Sequence, residues 1–379
     1  MILLGIETSC DETGAAIASF DPKKQTVSLL SNTVASSMPL HAATGGIIPE
    51  TAAREQIKYI LPVINEAIQK AYKTSLIEEN LPVDAIAVTI GPGLIGSLLV
   101  GVETARTLAY LWQKPLIAVN HLYGHIYANW IYRKETIQFP ALALVVSGGH
   151  TDFVLMRSHN DIKVIGATRD DAAGEAFDKI GRLLDLPYPA GPHIAKLAEK
   201  GDPKKFSLPR PMIGSHDFDV SFSGLKTAAL NLTKRKDIAD VILRRSRRIS
   251  SAKRSFGMSH TVRPFAGVYT DRSRSAQDDK IINDLCASVE QAIVDVLVKK
   301  TINAAKKYDV KSLLLGGGVA ANEHLRKELE VKSSELKVNL FAPEKRLCTD
   351  NAAMIAAAGF FTKKRSSWQE ISADPELYY

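Results

Sequence analysis

Two histidines four residues apart, His121 and His125, and one distant aspartate, Asp350, are the side chains of this 379-residue chain best suited to hold a metal ion. On a helix, residues i and i+4 leave the same face with their Cβ atoms about 5–6 Å apart. Two imidazoles so placed can share a divalent cation, and a carboxylate oxygen is a natural third ligand. Asp350 lies in the run CysThrAspAsnAlaAla, between a strand-like stretch and an alanine-rich helix, where a fold could bring it to the pair. The competing reading is two unrelated surface or core side chains. A metalloprotease is disfavoured, because HisLeuTyrGlyHis lacks the glutamate beside the first histidine that acts as base in HExxH enzymes.

Glycine-rich turns offer a second chemistry. Ser147, Gly148 and Gly149 in one place, and Gly316, Gly317 and Gly318 in another, follow apolar strand-like runs. Backbone N–H groups in such turns can point at an anion with no Cβ in the way, and a following helix adds its positive end. Each turn is a candidate nucleotide contact or simply a tight turn. No GxxxxGK[ST] is present, nor a GxGxxG after the first strand. The stretch 170–184 reads as a helix with Ala173, Ala176, Phe177 and Ile180 on its apolar stripe. Its Glu175 and Asp178 either pair with Lys179 and Arg182 or accept hydrogen bonds from a ribose, and spacing does not separate the two. Gly191, in ProAlaGlyPro, could allow a ligand close to the backbone.

The elements that must carry these residues repeat. Residues 2–20 read as strand, turn, strand, and 141–156 repeat the shape; each half later has a buried strand running into glycines and then a helix. Two such α/β halves with facing turns would enclose a cleft. Composition is that of an ordinary globular protein, with 45% hydrophobic and 23% charged residues. Three cysteines with no CxxC suggest neither a disulfide framework nor a thiolate zinc site. The start of the chain lacks signal or transit character, and no apolar run approaches the ~18–20 residues of a membrane span. A cytoplasmic protein is expected. Of the net charge of +7, the stretch 234–275 carries twelve Lys and Arg against three Asp, which leaves the remainder slightly negative. This Ser/Arg-rich block reads as a disordered insertion, either a polyanion-binding arm or a solvated spacer.

Taken together, the motifs resemble a known family. LeuGlyIleGluThrSerCysAspGluThr at 4–13, GlyGlyIleIleProGlu at 45–50, GlyProGlyLeuIleGlySerLeuLeuValGly at 91–101, HisLeuTyrGlyHis, ValSerGlyGlyHisThr, AspAspAlaAlaGlyGluAlaPheAspLys, SerPheSerGlyLeuLysThrAla at 221–228, GlyGlyGlyValAlaAlaAsn at 316–322 and CysThrAspAsn are similar to the bacterial TsaD family. Its members are tRNA N6-adenosine threonylcarbamoyltransferases, once thought to be glycoproteases. The resemblance runs from residue 4 to about 360, interrupted by the basic block.

It implies a duplicated actin-like, sugar-kinase-like α/β fold, two RNase H-like domains around a nucleotide cleft. The expected domains are 1–135 and 136–350, with a C-terminal helix over 351–379 packing back on the first. It implies a metal-dependent acyltransferase that moves the threonylcarbamoyl group from threonylcarbamoyl-adenylate to N6 of adenosine 37 in tRNAs reading ANN codons, releasing AMP. By matching motif, the metal ligands are His121, His125 and Asp350. The nucleotide contacts are Val145, Val146, Ser147, Gly148, Gly149, Asp178, Gly191 and Asn322, and the acidic catalytic loop holds Asp11 and Glu12; for Asp11 a turn-capping role is the alternative. Iron is the ion the resemblance favours, with zinc and magnesium as alternatives. A small paralogous TsaB-like subunit and a P-loop TsaE-like ATPase are the implied partners. Thr44, Gln56, Tyr123 and Ala190 depart from the usual pattern close to these motifs. A catalytically silent ATP-binding scaffold of the same fold is the alternative function; it would be expected to have lost one of Asp11, His121, His125 and Asp350, and all four are present.

Overall fold

The computed structural model describes residues 1–75, 81–256, 272–362 and 365–379. Among the described residues, ten strands form two five-stranded sheets. The first holds β1 (Ile2–Glu7), β2 (Glu12–Asp21), β3 (Thr26–Ser36), β4 (Ala85–Gly91) and β5 (Leu116–Asn120) in the order β3-β2-β1-β4-β5. The second holds β6 (Ala141–Val146), β7 (Thr151–Ser158), β8 (Asp161–Ala167), β9 (Ser312–Gly316) and β10 (Asn339–Phe341) in the order β10-β9-β6-β7-β8. In each, three antiparallel strands form a meander and two more join in parallel on the other side of the first. The sheets therefore repeat strand for strand, which is the duplication expected from sequence.

Alternation along the strands divides the interior into layers. Leu4, Ile6, Ala15 and Ile17 face the helices Pro49–Tyr72 and Ile95–Trp112, whereas Leu3, Ala16 and Ala18 face the opposite way. In the second half Leu142 and Leu144 face the helices Ala173–Leu183 and Arg272–Lys307. Ala141, Ala143 and Val145 turn inward to join the first sheet's inner residues. Both faces of each sheet are thus covered, and so the central strands read as continuous apolar runs.

The helix Ala352–Phe361 fills the middle layer, and six of its residues are Ala or Gly. Its small side chains let backbones approach. A Cβ on Gly5 would come within 2.4 Å of the Ala352 carbonyl oxygen, and one on Gly14 within 2.9 Å of the Ala352 nitrogen. Docked this way, the helix start lies over the ends of β1 and β2, and Asp350 just before it is delivered to His121 and His125. The expected helix over 351–379 ends at Phe361. Residues 365–379 instead run back along the first half, with Ser366 bridging to Leu116, Ile371 in the core and the Asp374 N–H donating to the Ile90 carbonyl at 2.7 Å.

The basic block also differs from expectation. Lys236–Phe256 is a helix rather than a disordered segment, while 257–271 lies outside the described residues. Ile238 and Val241 are buried in the second-half core. Arg244 grips Asp278 through Nε at 3.0 Å and a terminal nitrogen at 2.7 Å. Two core contacts at helical spacing anchor it, a stripe that the surrounding arginines mask in the sequence. No described helix is long and apolar enough to cross a membrane.

Candidate metal centre and substrate cleft

His121 opens the short helix His121–Tyr127 immediately after β5. Asn120 caps it, accepting from the N–H groups of Leu122 (2.8 Å) and Tyr123 (3.3 Å). One turn on, His125 leaves the same face, and the two rings stand 4.7 Å apart. Gly124 between them lets the helix lie on Ala352–Phe361, since a Cβ there would sit 2.8 Å from Ile355 Cδ1. That contact brings in Asp350, whose Oδ1 is 3.5 Å from His121 Nε2 and 3.4 Å from His125 Nε2.

The donor atoms fit a cation. One atom from each of the three residues lies within 4.8 Å of the others. Two bonds of ~2.1 Å at a tetrahedral angle place their donors about 3.4 Å apart. Both ring nitrogens of His125 are buried without a hydrogen-bond partner, a costly state for an imidazole unless something else occupies it. Electrostatics point the same way. Burial works against protonation of His121, yet the carboxylates of Glu7 and Asp350 override it and lift the ring to about 9. Asp350 is pushed up by burial but held down to about 2 by the two histidines, while burial lowers His125. Without a metal, a proton on His121 offsets the buried negative charge, and a divalent cation would take its place.

Sequence reasoning missed Glu7. Wholly buried at the end of β1, its carboxylate accepts from the Ser9 N–H (2.5 Å) and the Thr89 hydroxyl (2.6 Å) and lies 3.2 Å from His121 Nδ1. An acceptor on Nδ1 leaves Nε2 with a lone pair directed at the donor cluster. The signal was present as an acid in an otherwise apolar strand, but a strand-end acid reads equally well as the edge of a turn.

Asp11 lies between β1 and β2, and Glu12 opens β2. The Asp11 carbonyl accepts from Ser37 N–H (3.1 Å) and hydroxyl (2.8 Å). Burial, with Asp350 nearby, raises the Asp11 carboxyl above its usual range. Burial pushes Glu12 up to about 7, against a hydrogen bond from Ser36 at 2.8 Å. Gln56 ties this loop down by donating to the carbonyls of Thr8 (3.4 Å), Cys10 (3.0 Å) and Glu12 (3.1 Å).

In the second half, Val145 and Val146 are fully buried in β6, so only their backbones can meet a ligand. The Ser147 turn is closed by its N–H donating to the His150 carbonyl (2.9 Å) and by the His150 N–H donating to its hydroxyl (3.1 Å). A Cβ on Gly148, Gly149 or Gly318 would meet nothing within 4 Å, so these backbones face open space. Gly317 is different, with φ at 90° and Val146 O only 2.3 Å from a hypothetical Cβ. Asp178 accepts from the Ala190 N–H at 2.7 Å and so caps the helix Ala190–Ala198, which starts at the Gly191 turn. Of the expected i,i+4 pairs, Glu175 does meet Lys179, at 2.8 Å. Asn322 caps Glu323–Glu335 through the Leu325 N–H (2.8 Å) and donates to Glu290 (2.6 Å).

The four departures are accommodated locally. Thr44 bonds within its own turn through His41 O (3.0 Å) and Gly46 O (2.9 Å), and Gln56 holds the acidic loop. Tyr123 packs its ring 5.6 Å from that of Tyr379. Ala190 fits because Gly181 faces it, where a Cβ would come within 2.1 Å of the Ala190 methyl.

Comparison with known proteins agrees with this arrangement. The TsaD family profile, described as tRNA N6-adenosine threonylcarbamoyltransferase, matches residues 28–357. Relatives bearing that name from Dehalococcoides mccartyi and Listeria welshimeri are each 46% identical, covering 95% and 99% of this chain and 93% and 96% of their own. One from Anoxybacillus flavithermus is 44% identical over 100% of this chain and 97% of its own. Among solved structures, full-length HypF in a phosphate- and nucleotide-bound form superposes with a TM-score of 0.50 over 96% of this chain and 46% of its own. At 11% identity that likeness concerns the fold alone. With a profile match across most of its length and relatives this similar end to end, the chain belongs to the TsaD family of tRNA N6-adenosine threonylcarbamoyltransferases.

Proposed function

We propose that this protein transfers the threonylcarbamoyl group of threonylcarbamoyl-adenylate to N6 of adenosine 37 in tRNAs reading ANN codons. The observation that carries this reading is a His-His-Asp cluster in a chain of this family whose backbone at Gly148, Gly149 and Gly318 faces open space. N6 attacks the carbamoyl carbon, the bond from that carbon to the phosphate oxygen breaks, AMP leaves and N6 gives up a proton. The exocyclic amine is a weak nucleophile, so the enzyme must orient it and stabilise the leaving phosphate. The open backbone at Gly148, Gly149 and Gly318 receives the adenylate phosphate, while Asp178, Gly191 and Asn322 border the nucleoside. Asp11, with its raised carboxyl, orients the amine or accepts its proton, and Glu12 lies beside it.

His121, His125 and Asp350 would hold one divalent ion, iron by family resemblance, with zinc or magnesium as alternatives. Such an ion supplies Lewis acidity and neutralises phosphate charge. Glu7 sets the tautomer of His121. The positively charged helix Lys236–Phe256 is the segment suited to phosphate contacts with tRNA. An exposed apolar strip on Pro49–Tyr72 and Ile95–Trp112, including Ile57, Leu61, Ile95 and Leu99, fits a small paralogous subunit. A P-loop ATPase partner and a cytoplasmic location rest on the family alone.

The test is AMP release from preformed threonylcarbamoyl-adenylate in the presence of unmodified tRNA. Release should depend on tRNA carrying adenosine at position 37 and be absent with guanosine there. Equal release with either tRNA would overturn the reading.

A further inference from the structure

Asp152 is a buried acid with no part in the chemistry above. It lies on β7 opposite Val145 of β6, only 1% exposed. Its hydrogen-bond partners are two phenols, the Tyr378 hydroxyl donating to Oδ1 at 2.5 Å and the Tyr379 hydroxyl donating to Oδ2 at 3.4 Å. These tyrosines arrive from the other half of the molecule. Ile371 is fixed in the first-half core, the Asp374 N–H bonds Ile90 O, and the Gly93 N–H donates to Pro375 O at 3.3 Å. Residues 374–379 therefore cross from the first sheet to the second and are pinned at both ends.

What they deliver lies beside the Ser147 turn. The Tyr379 ring is 5.6 Å from that of Tyr123, on the face of the helix His121–Tyr127 away from His121 and His125. The Tyr378 ring is 5.1 Å from that of Tyr379 and 6.3 Å from that of His150. His150 closes the Ser147 turn and is near enough to feel the charges of His121, His125 and Asp350. Yet Tyr378 keeps 46% of its surface exposed. A half-exposed aromatic ring, held by its hydroxyl beside the Ser147 turn, has the properties of a stacking surface.

We propose that Tyr378, positioned by Asp152, stacks on the adenine that the enzyme modifies. This rests on the tRNA reading above and adds to it how the target base is held. An adenine in an anticodon loop must leave its neighbours for N6 to reach the carbamoyl carbon, and unstacked bases in single-stranded RNA are commonly received on aromatic side chains. A tyrosine whose hydroxyl is already fixed offers that surface at little entropic cost.

The experiment is a binding cycle with the full-length protein and two tRNAs, one with adenosine at position 37 and one abasic there, at one salt concentration. For the adenosine tRNA, Tyr378→Ala should weaken binding by about 5- to 150-fold, the range for loss of one base–aromatic stack. For the abasic tRNA the same substitution should change little. Tyr378→Phe, which keeps the ring and loses the bond to Asp152, should fall between wild type and Tyr378→Ala in its preference for adenosine. AMP affinity and melting temperature serve as the readouts that a merely structural tyrosine would move. If Tyr378→Ala proves unstable, Tyr378→Leu keeps apolar bulk without a flat face and should show the same selective loss. Equal weakening for both tRNAs, no weakening, or tighter binding with faster turnover would each overturn the proposal, the last by showing a cover over the site. Failure of the transferase reading is separately visible, because wild-type AMP release would then not depend on adenosine 37.

Discussion

Replacing Glu7 by glutamine tests whether a buried acid outside the three donor residues governs metal binding. Glu7 faces three donors: Ser9 N–H on one oxygen, and the Thr89 hydroxyl and His121 Nδ1 on the other. A carboxamide of the same shape cannot satisfy all of them. If its oxygen stays on Ser9, its NH2 faces Nδ1, the ring hydrogen moves to Nε2, and the lone pair aimed at Asp350 is lost. If it turns over, two N–H groups confront each other in a wholly buried pocket, at a cost of about 1–3 kcal/mol. Either outcome leaves the ligands in place but presents one of them badly. The expected loss of metal affinity is about 10–100-fold, the usual effect of removing an outer hydrogen-bond partner, or ~1.4–2.7 kcal/mol. Calorimetric titration of the metal-free protein with zinc reads this directly, and a melting curve without metal checks folding. A folded Glu7→Gln protein with wild-type zinc affinity would refute the tautomer argument.

Three further outcomes follow from the packing and the charges. Gly5→Ala puts a methyl 2.4 Å from the present position of the Ala352 carbonyl oxygen; forced displacement of that helix should cost about 1–3 kcal/mol of stability and, by moving Asp350, weaken zinc binding, whereas an unchanged melting temperature would show that the helix is not wedged. Asp178→Ala removes the acceptor that caps Ala190–Ala198, so it should lower stability by about 1 kcal/mol without ligand and also weaken AMP binding; loss of AMP affinity with no thermal effect would leave the cap without energetic weight. Glu12 has a folded pKa of about 7 against an ordinary value of 4.5, so the folded protein binds the extra proton between those values and its stability falls as pH rises through the window. Glu12→Gln should therefore match wild type below about pH 4.5 and exceed it above about pH 7 by up to ~3 kcal/mol, and melting curves with no such divergence would contradict the burial.

The duplication was readable because each half spells strand, turn, strand in one apolar register and later runs into glycines. His121, His125 and Asp350 were readable because helical spacing and a loop before an alanine-rich helix restrict where side chains point. Glu7 was not, since its role comes from β4 and β5 bringing Thr89 and His121 beside it. Asp178 and Asn322 stood out as polar groups, but their capping bonds depend on neighbouring helices whose starts the sequence leaves open. The helix Lys236–Phe256 was missed because two buried contacts, Ile238 and Val241, suffice to anchor a segment whose other residues are mostly charged or polar. Residues 365–379 were expected to be helical, yet Pro375 and the bonds to Ile90 and Asp152 hold them as loop and turns across both halves.

The most direct measurement of the central claim is nucleoside analysis by mass spectrometry of tRNA incubated with threonine, bicarbonate, ATP, an adenylate-forming synthase and either the wild-type protein or His125→Ala. Wild type should yield threonylcarbamoyl-adenosine at position 37, and His125→Ala, still folded but missing one of three metal donors, should yield very little. Unmodified tRNA from the wild-type reaction, with metal and partner proteins supplied, would contradict the assigned activity, and full modification by His125→Ala would contradict the assigned metal centre.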